Sequence, residues 1–65
     1  MIATGTQVRS TTTGTVRVVA DSIVETRTRA IFTERVQVLG LLPVGATDDG
    51  FYAWEDADYW TPVAG

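Results

Sequence analysis

Apolar and polar residues alternate with a period of two along much of this 65-residue chain. In the segment "TVRVVA", Val16, Val18 and Ala20 fall on one face and Arg17 and Val19 on the other, which is the spacing of a β-strand. Threonine and valine are abundant, and their β-branched side chains suit a pleated surface better than a helix. The pattern therefore predicts an all-β protein.

Turn-forming residues divide the chain into five or six short antiparallel strands. We expect turns at 11–14, at 21–22, at 33–34 and in the loop "LLPVGATDDG", which contains Pro43 and the hairpin signal Asp49-Gly50. The predicted strands cover 6–10, 15–20, 23–32, 35–42, 51–54 and 59–63, and "EDAD" at 55–58 forms one 3₁₀ turn before the last strand. Pro62 requires that last strand to lie at a sheet edge.

Residues 22–40 allow a second interpretation, because Ser22 and Glu25 match the capping box of a helix. A helix needs apolar residues three and four positions after Ile23, and Thr26 and Arg27 occupy those positions. We therefore predict two strands in this segment.

A chain of this length forms one domain over residues 1–65, with a small core, because folding removes only about 60% of the unfolded surface from water at this size. The alternation predicts that the core contains Val8, Val16, Val18, Phe32, Val36, Val38 and Phe51.

Two loose sequence patterns match a known class of small β-domains. The first, G-x-x-V-R-x-x-x-x-G-x-V, comprises Gly5, Val8, Arg9, Gly14 and Val16. The second, W-x-x-A-D-x-x-x-P, comprises Trp54, Ala57, Asp58 and Pro62. With its strand layout, the chain resembles small SH3-like barrels, including the KOW-type ones. The resemblance implies a five- or six-stranded barrel with a 3₁₀ turn before the last strand.

The side chains of most catalytic and metal sites are missing, since the chain contains no histidine and no cysteine. General bases, nucleophiles and zinc ligands of those types are therefore excluded. Asp56 and Asp58, with Glu55 or the pair Asp48 and Asp49 nearby, offer oxygen ligands for Ca²⁺ or Mg²⁺, but clustered acids on a loop are usually solvated. We expect no enzyme activity, catalytic residue, metal, cofactor or small-molecule substrate.

Charge is unevenly distributed along the chain, whose net charge is −3. Residues 1–40 carry all five arginines and have a net charge of +2, whereas residues 41–65 carry five acids and no base. Arg17, Arg27 and Arg29 are expected to share one sheet face, because residues two apart on a strand project the same way. Such a basic face would bind phosphates, although pairing with Glu25 and Glu34 is the alternative.

Five of the six aromatic residues lie within residues 51–60. A domain this small cannot bury all of them, since each ring can bury about 150–250 Å². We predict that Phe51 is buried and that some of the other rings form a partner-binding face with neighbouring acids. The predicted site comprises Tyr52, Trp54, Glu55, Asp56, Asp58, Tyr59 and Trp60. The alternative is that these rings plug one end of the barrel.

The sequence thus predicts a non-enzymatic protein-interaction module whose partner is another protein or a second copy of itself. The alternative function is a nucleic-acid-facing accessory protein, either a weak binder or an acidic decoy. No signal peptide or membrane span is recognisable, so we expect a cytoplasmic protein without membrane contact. The arginine-rich, lysine-free composition suggests an actinobacterium or its phage, with the host cytoplasm or virion as the location in the phage case.

Overall fold

Five antiparallel strands form a single sheet in the computed structural model, which describes residues 1–63. The strands are β1 (Gln7–Ser10), β2 (Val16–Arg29), β3 (Phe32–Pro43), β4 (Ala53–Asp56) and β5 (Trp60–Pro62). A 3₁₀ turn at Ala57–Tyr59 precedes β5, and the spatial order is β4-β3-β2-β1-β5. The predicted all-β class, the antiparallel strands and the 3₁₀ turn before the last strand are confirmed, and the helical interpretation of residues 22–40 is wrong.

The first turn and the last strand form as predicted. The Ser10 hydroxyl accepts hydrogen bonds from the backbone N–H groups of Thr12 and Thr13, and Gly14 takes a positive φ of 77°, which favours glycine. Among the strands described, β5 pairs only with β1. The strand containing Pro62 is therefore at a sheet edge, where a missing N–H is tolerated.

The β2–β3 hairpin is longer than the sequence pattern predicts. Pairing runs from Arg17↔Pro43 to Arg29↔Phe32, and its register shifts once, between Val19 and Asp21. This bulge at Ala20 adds one residue to β2 and bends the strand without ending it. The turns predicted at 21–22 and 33–34 are therefore wrong, and the chain reverses at residues 30–31 instead.

The strand predicted at 51–54 begins two residues later, at Ala53. Side chains hold the preceding segment in a loop, since Asp48 Oδ1 accepts the Gly50 N–H at 3.0 Å and Asp49 Oδ1 accepts the Phe51 N–H at 2.9 Å. Gly50 has a φ of 82°. These local bonds compete with ladder pairing, so the Asp49-Gly50 signal marks a loop rather than a tight hairpin.

The core lies on one face of the sheet, where Val8, Val19, Leu39, Leu41 and Trp60 form one buried cluster. Ile2 and Ala57 pack against it. Strands β1, β2, β3 and β5 all contribute to this cluster, so the sheet curls around it.

Only part of the predicted core is correct. Val8 and Val38 are buried, whereas Val16, Val18 and Val36 are half-buried. The predictions for Phe32 and Phe51 are wrong, because their exposures are 55% and 83%. The first ring lies at the end of the hairpin and the second lies in the loop.

Candidate functional site

The strand register divides the predicted site between the two faces of the sheet. We call the side that carries Leu39 and Leu41 the core face, and the side that carries Val38 and Gly40 the outer face. Leu39 pairs with Glu55, and Gly40 pairs with Trp54. Directly paired residues project to the same side of a sheet, so these two neighbouring site residues face in opposite directions.

Tyr52 and Trp54 form a packed pair above Gly40 on the outer face. Their ring centroids are 5.5 Å apart and the planes meet at 83°, an edge-to-face geometry that stabilises aromatic pairs. A Cβ atom on Gly40 would stand 3.0 Å from Tyr52 Cδ2 and 3.1 Å from Trp54 Cη2. The rings can lie this close to β3 because glycine has no side chain at this position.

A hydrogen bond fixes the outer end of Tyr52. Its hydroxyl donates to Asp48 Oδ1 at 2.9 Å. This bond, together with partial desolvation and the charge of Asp48, raises the pKa of Tyr52 above its ordinary value. The phenol therefore stays protonated at neutral pH and connects the aromatic pair to the acidic loop.

An ion-pair cluster borders the aromatic pair. Both oxygens of Asp56 accept bonds from the Arg27 guanidinium, at 2.7 and 2.8 Å, and Glu25 accepts a third at 3.1 Å. Bidentate pairing of this kind gives strength and direction. The bonds to Asp56 and Glu25 raise the pKa of Arg27, and the bond from Arg27 lowers the pKa of Asp56. The cluster connects β2 to β4 across β3.

Acid should weaken this connection between β2 and β4. Because the folded-state pKa of Asp56 lies below its ordinary 3.8, its stabilising contribution is complete above that value and is lost as the pH falls through the lowered one. We expect the urea midpoint of the wild type to fall more steeply between about pH 5 and about pH 3 than that of Asp56→Asn. Parallel pH profiles for the two proteins would contradict a stabilising role for the pair.

The outer face also carries aliphatic residues beside the aromatic pair, one of them buried and one partly exposed. Val38 is buried there, outside the core cluster, and pairs with Ile23 on one side and Asp56 on the other. Ile23 and Trp54 are each 45% exposed. The aromatic pair, Ile23 and Val38 together make an apolar surface bordered by the Arg27 cluster, and we call these four residues the outer patch.

The remaining predicted site residues lie elsewhere. Glu55, Tyr59 and Trp60 line an open hollow of about 350 Å³ on the core face, together with Arg17. Asp58 is exposed in the 3₁₀ turn.

Trp60 belongs to the core rather than to an exposed contact face. Its residue exposure is only 9%. Among residues 1–63, its buried Nε1 atom has no hydrogen-bond partner. Its neighbour Tyr59, which the predicted site also contains, is exposed.

The three arginines of the predicted basic face do not share one face. Arg17 pairs with Val8 and Pro43, on the side of the core, and it precedes the Ala20 bulge. The extra residue reverses the alternation, so Arg27 and Arg29 lie on the outer face. The Arg29 guanidinium also forms an ion pair with the Glu34 carboxylate, at a distance of 3.5 Å. The predicted grouping is wrong because a bulge breaks the period of two.

Sequence analysis missed two residues of the outer face: Ile23, which belongs to the outer patch, and Gly40, on which the aromatic pair rests. A lone glycine between Leu39 and Leu41 is a recognisable signal of close approach within a strand. Ile23 gave no comparable signal, because its outward direction depends on the bulge.

The described part of the chain contains neither a cluster of metal-binding acids nor a membrane-spanning helix. Within residues 1–63, no group of three or more acidic side chains is placed to hold a metal ion. No helix in that range is long and apolar enough to cross a membrane.

Comparison with protein-family models, with curated proteins and with solved structures found no match to this chain. The resemblance to SH3-like barrels therefore stays a prediction.

Proposed function

We propose that this chain is a non-enzymatic protein-interaction module that binds a protein partner through the outer patch and its acidic border. The observation that carries this proposal is the Tyr52–Trp54 pair, which is fixed above Gly40 while Trp54 remains 45% exposed. An ordered ring loses little conformational entropy when a partner covers it. Such rings are the commonest energetic centres of protein interfaces.

The surroundings of the outer patch support the same function. Arg27, Glu25 and Asp56 form a charged border next to it, and an apolar centre with a polar rim is the usual composition of an interface. Phe32 lies on the same face, farther along the hairpin, and is also exposed. The outer face thus presents two separate apolar areas, the outer patch and Phe32, with charged residues between them.

The proposal keeps the other expectations from the sequence. These are an SH3-like domain, self-association, a cytoplasmic location, and an actinobacterial or phage source with the host cytoplasm or virion as the location in the phage case. The composition supports the source, and the opposite net charges of residues 1–40 and 41–65 support self-association.

Replacement of Trp54 tests the proposal directly. We expect Trp54→Ala to weaken partner binding by at least about 2 kcal/mol, roughly 30-fold in Kd, because it removes the exposed ring of the outer patch. The measurement is affinity capture from the source cell, followed by calorimetry with the captured partner.

Tyr59→Ala is the matched control for Trp54→Ala, since Tyr59 is also exposed but lines the hollow on the core face. This variant should bind like the wild type. Equal binding by Trp54→Ala and the wild type would contradict the proposal, and a loss confined to Tyr59→Ala would place the contact at the hollow.

The nucleic-acid alternative has less support. Arg27 and Arg29 are held in ion pairs with carboxylates, and Arg17 is on the core face. A DNA and RNA shift assay over a salt series separates the two functions, because phosphate binding weakens steeply with salt.

A further inference from the structure

The distal half of the β2–β3 hairpin has no third strand beside it in the described chain, although the Arg27–Asp56 ion pair connects its base to β4. Strand β1 pairs only with residues 16–18 of β2, and β4 pairs only with residues 38–41 of β3. Residues 25–36, which we call the hairpin arm, therefore pair only with each other in residues 1–63. Five residue pairs and the turn at residues 30–31 span roughly 20 Å, and the long dimension of the molecule is 42 Å.

The hairpin arm buries none of its residues. A two-stranded hairpin alone in water is marginally stable at best. The end of this arm is also apolar, since Ile31 is 99% exposed and Phe32 follows it. Two adjacent apolar residues at the tip of a projecting hairpin indicate a surface that another molecule covers.

The opposite end of β3 leads into a segment of complementary character. Beyond Pro43, the loop carries the carboxylates of Asp48 and Asp49 and the exposed side chains of Val44 and Phe51. We call these four residues the acidic end. Neither aspartate makes an ion pair within residues 1–63, so the loop presents two carboxylates that no cation in that range neutralises, beside apolar side chains.

The hairpin arm has the opposite charge. It contains Arg27, Arg29 and Arg35 against Glu25 and Glu34, a net charge of +1. Arg35 is exposed at the middle of the arm and makes no ion pair with any residue in the described range. The two ends of one chain thus match each other in both charge and apolar character, although they lie too far apart to meet within the same molecule.

We propose that the hairpin arm of one copy docks on the acidic end of a second copy, with Ile31 and Phe32 against Val44 and Phe51. Arg35, the cation of the arm that makes no ion pair within residues 1–63, then lies near Asp48 and Asp49. This inference goes beyond the proposed function, because the two segments lie outside the outer patch and the molecule that covers them is a second copy of the chain.

The geometry predicts the kind of assembly that results. The two contacting surfaces differ, so the first contact leaves a free acidic end on one copy and a free arm on the other. Heterologous contacts of this type build rings or open chains rather than simple twofold dimers. We expect the wild type to have a concentration-dependent mass well above 7.0 kDa, and the mass should fall as salt screens the charges.

Complementation between two defective variants tests the arrangement. Ile31→Glu places a negative charge on the arm, where it meets the acidic end, and Phe51→Ser removes the ring against which the arm should dock. Each variant alone should be a monomer. Their equimolar mixture retains one intact arm and one intact acidic end, so it should form a heterodimer of about twice the 7.0 kDa monomer mass, and go no further.

Two control variants accompany this experiment. Thr4→Glu carries the same new charge as Ile31→Glu at an exposed position in another turn, and it should assemble like the wild type. Ile31→Lys removes the same apolar side chain but adds the favourable charge, and it should retain more assembly than Ile31→Glu at low salt. Far-UV circular dichroism checks the fold of each protein, and light scattering gives the masses.

Three results would overturn the inference: a monomeric wild type at all concentrations, assembly that persists in both single variants, or a mixture that stays monomeric. None of these decides the proposed function. That depends on the comparison of Trp54→Ala with Tyr59→Ala, and neither variant alters the tip of the arm or the acidic end.

Discussion

Trp60→Ala should unfold much of the protein rather than weaken a contact. Trp60 lies in the core cluster with Val8, Val19, Leu39 and Leu41, and truncation of a buried tryptophan typically costs about 3–5 kcal/mol. A domain of 65 residues has a total stability of only about 3–10 kcal/mol. Urea unfolding followed by far-UV circular dichroism should show the loss as a greatly lowered midpoint.

Trp60→Phe is the matched control for this loss. Phenylalanine keeps a large ring in the core and removes the buried Nε1–H group, which has no acceptor among residues 1–63. Removing an unsatisfied buried donor recovers part of the cost of losing apolar area. We expect Trp60→Phe to cost well under half as much as Trp60→Ala. Equal costs for the two variants would show that the N–H group contributes to stability.

Much of the fold was accessible from the sequence because strand formation here follows local chemistry. Alternation of side chains, β-branched residues and glycine turns are read directly from the chain, and they gave the all-β class and the turn at Gly14. The 3₁₀ turn before the last strand was predicted for the same reason, since a short polar segment separated two apolar ones. These features depend on neighbours within a few residues.

The bulge at Ala20 accounts for the largest errors of the sequence analysis. It leaves no clear signal in the sequence. Asp21 and Ser22 are residue types typical of a turn, but in the structure they continue strand β2. One added residue reverses the direction of every later side chain on β2 relative to the alternation. This reversal separated Arg17 from Arg27, and it placed Ile23 on the outer face.

The candidate site was only partly accessible from sequence for a related reason. Alternation predicts that Tyr52 and Trp54 lie on the same side of the strand, and they do. Alternation within one strand does not reveal that Gly40 of β3 lies beneath the two rings. Phe51 was assigned to the core because it precedes alternating residues, yet the side-chain bonds of Asp48 and Asp49 hold it in a loop. Long-range pairing decides which rings are covered, and a single sequence does not specify it.

The two faces of the sheet divide stability and recognition between them. The core face contains the cluster that folds the chain, and truncation of its one ring, Trp60, should cost the structure. The outer patch contributes a second, smaller apolar group in which Trp54 stays exposed. A variant that disturbs only the outer face should therefore separate partner binding from folding.

Gly40→Val is expected to displace the aromatic pair while the core face stays intact. The new Cβ atom would stand 3.0 Å from Tyr52 Cδ2, and the two γ-methyl groups would need space that the rings occupy. Valine suits a strand better than glycine by about 0.5–1 kcal/mol, but overpacking typically costs about 1–3 kcal/mol. The clash should prevail, so we expect a moderate net loss of stability and a much larger loss of partner binding.

Fluorescence reports the displacement of the rings most directly. In a Trp60→Phe background Trp54 is the only tryptophan, and Gly40→Val should shift its emission to longer wavelength because the ring moves into water. The near-ultraviolet circular dichroism of the Tyr52–Trp54 pair should weaken at the same time. Gly40→Ala, which adds the Cβ atom alone, should give a smaller change in both signals. Unchanged spectra for Gly40→Val would mean that the rings do not rest on Gly40, and the outer patch would then lose the support that makes Trp54 a rigid contact.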